Sequence, residues 1–95
     1  MTINQTLDGN VLTIALEGRL DTASAPELEN MLKAELKPDM NVIFDMKQLD
    51  YVSSAGLRVL LFARKNCASI KVINANEIIM QVFDVTGFTH IIPIE

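Results

Sequence analysis

The sequence predicts an α/β domain: a mixed, mostly parallel five-stranded sheet with three helices, formed as a single domain over residues 1–95. Three observations predict it. Short runs of branched and aromatic residues alternate with longer stretches of helical period. A tight-turn signal joins the first two runs as a hairpin. The helical stretches lie between the later strands, which calls for right-handed crossovers and parallel pairing. The order along the chain is strand, strand, helix, strand, helix, strand, helix, strand.

Asp8-Gly9-Asn10 is the turn signal. It separates Ile3 and Leu7 from Leu12, Ile14 and Leu16, whose alternation puts the apolar side chains of two extended segments on one face. After Gly18, Ser24-x-x-Glu27 has the pattern of a capping box around Pro26, and Ala25, Leu28, Leu32 and Leu36 recur at helical spacing. The first helix is expected to run to about Lys37 and stop before Pro38.

Met40–Met46 is too short for a helix and rich in strand formers, so it reads as a buried strand at the sheet centre. Ser54 opens a second helix in which Leu57, Leu60 and Leu61 share a face while Arg58, Arg64 and Lys65 point to water. Ile70–Ile73 is a further strand. Asn76 can cap a third helix, with Ile79, Val82 and Phe83 inward and Gly87 at its end. Ile91-Ile92-Pro93-Ile94 is expected as an edge strand, because proline removes a ladder donor.

Ninety-five residues at 49% apolar content suffice for one continuous core and leave little chain for a second. The net charge of −4 and the scattered Lys and Arg residues argue against a nucleic-acid partner. Cys67, the single cysteine, cannot form an internal disulfide and fits a small structural role near a helix end. With His90 as the single histidine, no metal-ligand set is spelled out, and the four scattered glycines make no phosphate cradle. Neither metal nor cofactor is expected. The chain is polar by its fourth residue and holds no apolar run of membrane-spanning length, so a cytoplasmic location without direct membrane insertion is expected.

Asp50-Tyr51-Val52-Ser53-Ser54-Ala55-Gly56-Leu57 is the stretch richest in chemistry: a strand hands over to a helix through two hydroxyls and small residues. Helix N-termini favour anions, so a phosphate on Ser54 would be tolerated by its own helix. From the spacing alone, Ser53 or Ser54 acting only as a cap, worth about 1 kcal/mol, is the favoured reading, and Ala55 and Gly56 suit close packing. Ser54 does not sit in a Gly-x-Ser-x-Gly frame, and nothing in the sequence brings His90 to it. Asp45 and Asp50 read as solvated charges at a strand end. No catalytic residue, and no enzyme, is expected.

Gly18-Arg19-Leu20-Asp21-Thr22-Ala23, the Val42-Ile43-Phe44-Asp45 strand and Ser53-Ser54-Ala55-Gly56-Leu57-Arg58-Val59-Leu60-Leu61 together resemble the STAS family, of the bacterial anti-sigma factor antagonist type. The family's name joins sulfate transporters and anti-sigma factor antagonists. The resemblance spans nearly the whole chain, and Ser-Ala-Gly-Leu is its most specific piece. It implies that Ser54 is a phosphoacceptor, modified by an anti-sigma factor with serine kinase activity and restored by a Ser/Thr phosphatase. The unmodified protein would capture the anti-sigma factor and free a sigma factor for transcription.

The partner surface implied is Asp21, Thr22, Ser53, Ser54, Ala55, Gly56 and Arg58. Phosphorylated members often carry Asp-Ser-Ser/Thr-Gly, where this sequence has Ser53 for the acidic residue and Ala55 for the second hydroxyl residue. A STAS subunit that scaffolds a transporter or signalling complex without being phosphorylated is the alternative. A phosphocarrier or small enzyme using His90 is a third.

Overall fold

The computed structural model describes residues 1–95. Strands β1 (Thr2–Asp8) and β2 (Val11–Leu20) form an antiparallel hairpin in unbroken register from Thr2 opposite Glu17 to Asp8 opposite Val11. The chain reverses at Gly9, whose φ of +61° suits a residue without Cβ. Strands β3 (Asn41–Val52) and β4 (Ser69–Ile73) add in parallel, giving the order β1-β2-β3-β4. Helices α1 (Ala25–Glu35) and α2 (Ser54–Lys65) connect the parallel strands, and α3 (Glu77–Thr86) and a short 3-10 turn, Phe88–His90, follow β4.

The register sets the core. Leu12, Val42 and Ile70 lie side by side, as do Ile14, Phe44 and Val72, and all six are buried. They join Leu28 and Leu32 of α1, Leu57 and Leu60 of α2, and Ile79 and Phe83 of α3 in one cluster of 23 residues, so the helices cover this face. On the other face Thr13, Ile43 and Lys71 line up and remain half-buried. Ile3 and Leu7 share the inner face with Leu16 and Leu12 as the alternation requires, yet Ile3 is half-buried and Leu7 is 57% exposed.

The fold class and the three helices are as the sequence predicts, but the sheet has four strands, not five. Of Ile91–Ile94, one residue pairs: Ile94 makes a lone parallel bridge to Val72. The amides of Ile91 and Ile92 both donate to the Phe88 carbonyl, each at 2.9 Å, and are spent in a turn. Phe88 and Ile92 both enter the core.

Strand β3 runs six residues beyond the expected Met46. Its register against β2 slips by one residue between Ala15 and Glu17 and again between Gly18 and Arg19. Each slip is an extra residue on β3, a bulge that bends the strand and increases its twist. The two bulges turn Met46, Leu49 and Val52 all inward at a spacing of three.

Candidate functional site

Strand β3 hands over to α2 at Ser53. Its backbone is extended (φ −100°, ψ 176°), and its amide donates to the Leu20 carbonyl at 2.9 Å, which carries the contact with β2 one residue past the strand. The Ser53 hydroxyl then accepts from the Gly56 amide at 3.5 Å, and its carbonyl accepts from Leu57 at 3.0 Å. Ser53 is therefore the N-cap.

Gly56 is buried where the first turn of α2 lies across the ends of β2 and β3. A Cβ there would meet Leu20 Cγ at 2.7 Å and Val52 Cγ2 at 2.9 Å. Glycine allows the approach, and the approach fixes where the first residue of the helix sits.

That residue, Ser54, is exposed, and its hydroxyl makes no hydrogen bond within the protein. Helices α1 and α3 carry Glu27 and Glu77 in their first turns, whereas α2 has no acidic residue in its first turn and ends in Arg64 and Lys65. The positive end of the α2 dipole is thus uncompensated by side-chain charge at Ser54.

The loop after β2 faces this point. Asp21 Oδ1 accepts from the amides of Ala23 and Ser24, each at 3.1 Å, and from the Ser24 hydroxyl at 3.2 Å; Arg19 Nε lies 3.8 Å from Oδ2. The Ser24 amide above all holds the Asp21 carboxyl below its usual range, against opposing desolvation, with the Ser24 hydroxyl, the Ala23 amide and the Arg19 charge adding to it.

The expected capping box at Ser24 is not formed. Ser24 is already helical in its backbone (φ −96°, ψ −21°), and its hydroxyl instead accepts from the Asp21 amide at 2.9 Å and donates to the Arg19 carbonyl at 2.7 Å. Helix α1 ends at Glu35, two residues earlier than expected, where Leu36 turns extended.

Thr22 is exposed and joins Ala25, Pro26 and Glu29 of α1 and Ala55, Arg58 and Val59 of α2 around a shallow cleft of about 260 Å³. Of the residues singled out in the sequence, Thr22, Ala55 and Arg58 meet here, and Ser54 adjoins Ala55 in the chain. Ser53 is half-buried beneath Ser54, Gly56 faces the core, and the Asp21 carboxylate is turned into its own loop. Pro26, Glu29 and Val59 are additions. Ala55, Arg58 and Val59 share one face of α2, and Ala25, Pro26 and Glu29 share one of α1, but it is the packing of the two helices that brings those faces together.

The remaining titratable groups lie elsewhere. Asp45 Oδ1 accepts from the Lys47 amide at 3.1 Å and Asn74 Nδ2 at 3.0 Å, pinning the loop after β4. Asp50 is exposed. Arg64 Nε donates to the Ile91 carbonyl at 2.8 Å, which puts His90 and its neighbours by the C-terminal end of α2, about 15 Å along the axis from Ser54. Ser54 and His90 form no pair. The Cys67 thiol, half-buried, is pushed up in pKa by desolvation, with the Arg64 charge acting the other way. No cluster of three His, Cys, Asp or Glu side chains is arranged to hold a metal, and no helix is long and apolar enough to cross a membrane.

Comparison with known proteins agrees with this architecture. The STAS domain family matches residues 2–95. BtrV of Bordetella bronchiseptica, a candidate anti-sigma factor antagonist, is 34% identical over 93 residues, covering 93% of this chain and 79% of its own. An anti-sigma factor antagonist from Mycobacterium paratuberculosis superposes with a TM-score of 0.86 at 19% identity, covering 98% of this chain and 83% of that one. The anti-sigma factor antagonist SpoIIAA in its unphosphorylated form gives a TM-score of 0.79 at 13% identity, covering 99% and 88%. The Bacillus protein's phosphorylated form gives 0.69 at the same identity, covering 99% and 91%. Sequence and fold agree: the chain belongs to the STAS domain family, and within it to the anti-sigma factor antagonist type.

Proposed function

We propose that this protein is a non-enzymic cytoplasmic switch that captures an anti-sigma factor and is released from it by phosphorylation of Ser54. The observation that carries the reading is the state of the two adjacent serines. Ser53 is engaged as the cap of α2, while Ser54 is exposed, without a hydrogen-bond partner, at a helix start free of acidic side chains. A hydroxyl so placed is accessible to a kinase, and the helix that bears it tolerates the product.

The partner is an anti-sigma factor with serine kinase activity, and a Ser/Thr phosphatase restores the hydroxyl. The contact surface centres on Ser54 and the cleft formed by Thr22, Ala55 and Arg58. Asp21, Ser53 and Gly56 hold that surface in shape. SpoIIAA, which shares the fold, occurs in both phosphorylated and unphosphorylated forms.

The energetics suffice for a switch. A phosphoserine brings about −1.5 to −2 charges and three acceptor oxygens to a protein already at −4. A partner surface fitted to a neutral hydroxyl must then desolvate that charge, and each tenfold loss of affinity needs only about 1.4 kcal/mol.

The test is a pull-down from the source cell's lysate with wild-type and Ser54→Glu baits in parallel, followed by incubation of the captured fraction with ATP. The reading expects a kinase-fold partner that binds the wild type, is lost with Ser54→Glu, and phosphorylates the wild type but not Ser54→Ala. Equal recovery of transporter subunits on both baits would replace it with the scaffold reading.

A further inference from the structure

The two edges of the sheet are treated differently. On the β4 side the chain covers its own edge: Val72 donates to the Pro93 carbonyl at 2.9 Å, Glu95 donates back to the Val72 carbonyl at 2.8 Å, and Lys71 reaches Glu95 at 3.4 Å. Pro93 has no amide to offer outward. On the β1 side nothing of the kind exists. Thr2–Asp8 pairs with β2 alone, contains no Lys, Arg or Pro, shows no bulge in its seven-residue register, and carries one charge, Asp8, at its end. Those are the devices by which sheets discourage edge pairing, and apart from the terminal Asp8 β1 has none of them.

We infer that β1 is a self-association edge, pairing antiparallel with β1 of a second copy about a two-fold axis through Gln5 to form one continuous eight-stranded sheet. The occupant follows from the strand's self-complementarity. With Gln5 opposite its own copy, Asn4 faces Thr6, Ile3 faces Leu7, and Thr2 faces Asp8, each pair occurring twice. Like faces meet, because directly opposed residues of an antiparallel pair lie on the same side of a sheet.

The register sets apolar against apolar, polar against polar and amide against amide, with no charge opposite a like charge. Leu7, one of the three large apolar side chains left exposed, gains a partner in Ile3, itself half-buried. A two-fold contact of this kind closes on itself and stops at the dimer. Helix α2 packs over β3 and β4, so the Ser54 surface stays open in the dimer.

Sedimentation across a concentration series tests the inference. The wild type is expected to move from the protomer mass of 10.5 kDa towards twice that value. Gln5→Lys combined with Leu7→Lys, which sets like charges on the axis and removes both Ile3–Leu7 pairs at exposed positions, should weaken self-association about tenfold or more. Circular dichroism verifies that the variant is folded.

Register is read by cysteine coupling in a Cys67→Ser background. Opposed Cα atoms of an antiparallel pair lie within disulfide reach, so Gln5→Cys should couple to itself, and Asn4→Cys should couple to Thr6→Cys faster than either does alone. A wild type that stays at protomer mass throughout, a dimer indifferent to the two lysines, or coupling without positional preference would each overturn the inference. None of these outcomes depends on whether Ser54 is phosphorylated.

Discussion

Leu20, the last residue of β2, and Gly56, in the first turn of α2, stand so close that a methyl group at position 56 would lie 2.7 Å from Leu20 Cγ. Both are fully or nearly fully buried, and Val52 closes the other side at 2.9 Å. Gly56→Ala gains helix propensity, about 1 kcal/mol, but must displace two branched side chains that have no free volume to enter. We expect a net destabilisation of about 1–3 kcal/mol by denaturant unfolding, with weaker partner capture because Ser54 moves with the turn. An unchanged midpoint would show that the contact is soft.

The two serines should separate cleanly into stability and recognition. Ser53→Ala loses a cap whose bond is long, 3.5 Å, so the cost should fall near the lower end of the usual range, about 0.5–1 kcal/mol. Ser54→Ala removes a hydroxyl that bonds nothing within the protein, and stability should stay within about 0.5 kcal/mol of wild type. Parallel urea titrations of the two variants check both expectations. A larger loss for Ser54→Ala than for Ser53→Ala would reverse the assignment.

Asp21 makes stability depend on acid. Its carboxyl is held below the usual range chiefly by the Ser24 amide, so the folded state favours the ionised form. The contribution is complete above the unfolded-state value of about 3.9 and is lost as the pH falls through the lower folded-state value. Asp21→Asn keeps an acceptor oxygen but cannot titrate. Its stability should therefore fall less steeply than that of wild type between about pH 5 and pH 2, as followed by denaturation midpoints. Parallel curves would remove Asp21 from the acid response.

Cys67 should be a slow thiol. Burial raises its pKa, and its Sγ lies 3.3 Å from the Ser69 carbonyl, so the thiolate that reacts is scarce at neutral pH. Alkylation by iodoacetamide should be slower in the native protein than in the urea-unfolded chain, with the gap narrowing as the pH rises. Equal rates at neutral pH would refute it.

The elements with a clean period were readable in the sequence. Leu28 and Leu32 marked α1, Leu57 and Leu60 marked α2, and Ile79 with Phe83 marked α3; all six are buried. Asn76 was legible as a cap, since its side chain accepts from the Ile79 amide at 2.8 Å. The far half of β3 was not, because Met46, Leu49 and Val52 recur every third residue, and a period of two survives there only if bulges are counted.

Ser24 misled for a related reason. Its Ser-x-x-Glu spacing is a capping box by pattern, but the Asp21 carboxylate three residues earlier takes the Ser24 amide, and the Ser24 hydroxyl is spent on the Asp21 amide and the Arg19 carbonyl. At the site, Ser54 and its neighbours in sequence were legible. The cleft partners Pro26 and Glu29 were not, because only the packing of α1 against α2 brings them there.

The β1–β2 hairpin is the sheet's only local pairing; Val11 must wait for Asn41, thirty residues on, and Asn41 for Ser69. A hairpin forms in about 1–10 μs, whereas pairings that close long loops come later. During folding, then, the bare edge of β1 is presented from the earliest moments, while β2's other edge is still open as well. For that interval the nascent chain offers a second copy two edges instead of one, so high concentration during refolding should favour misassembly before it favours the native dimer.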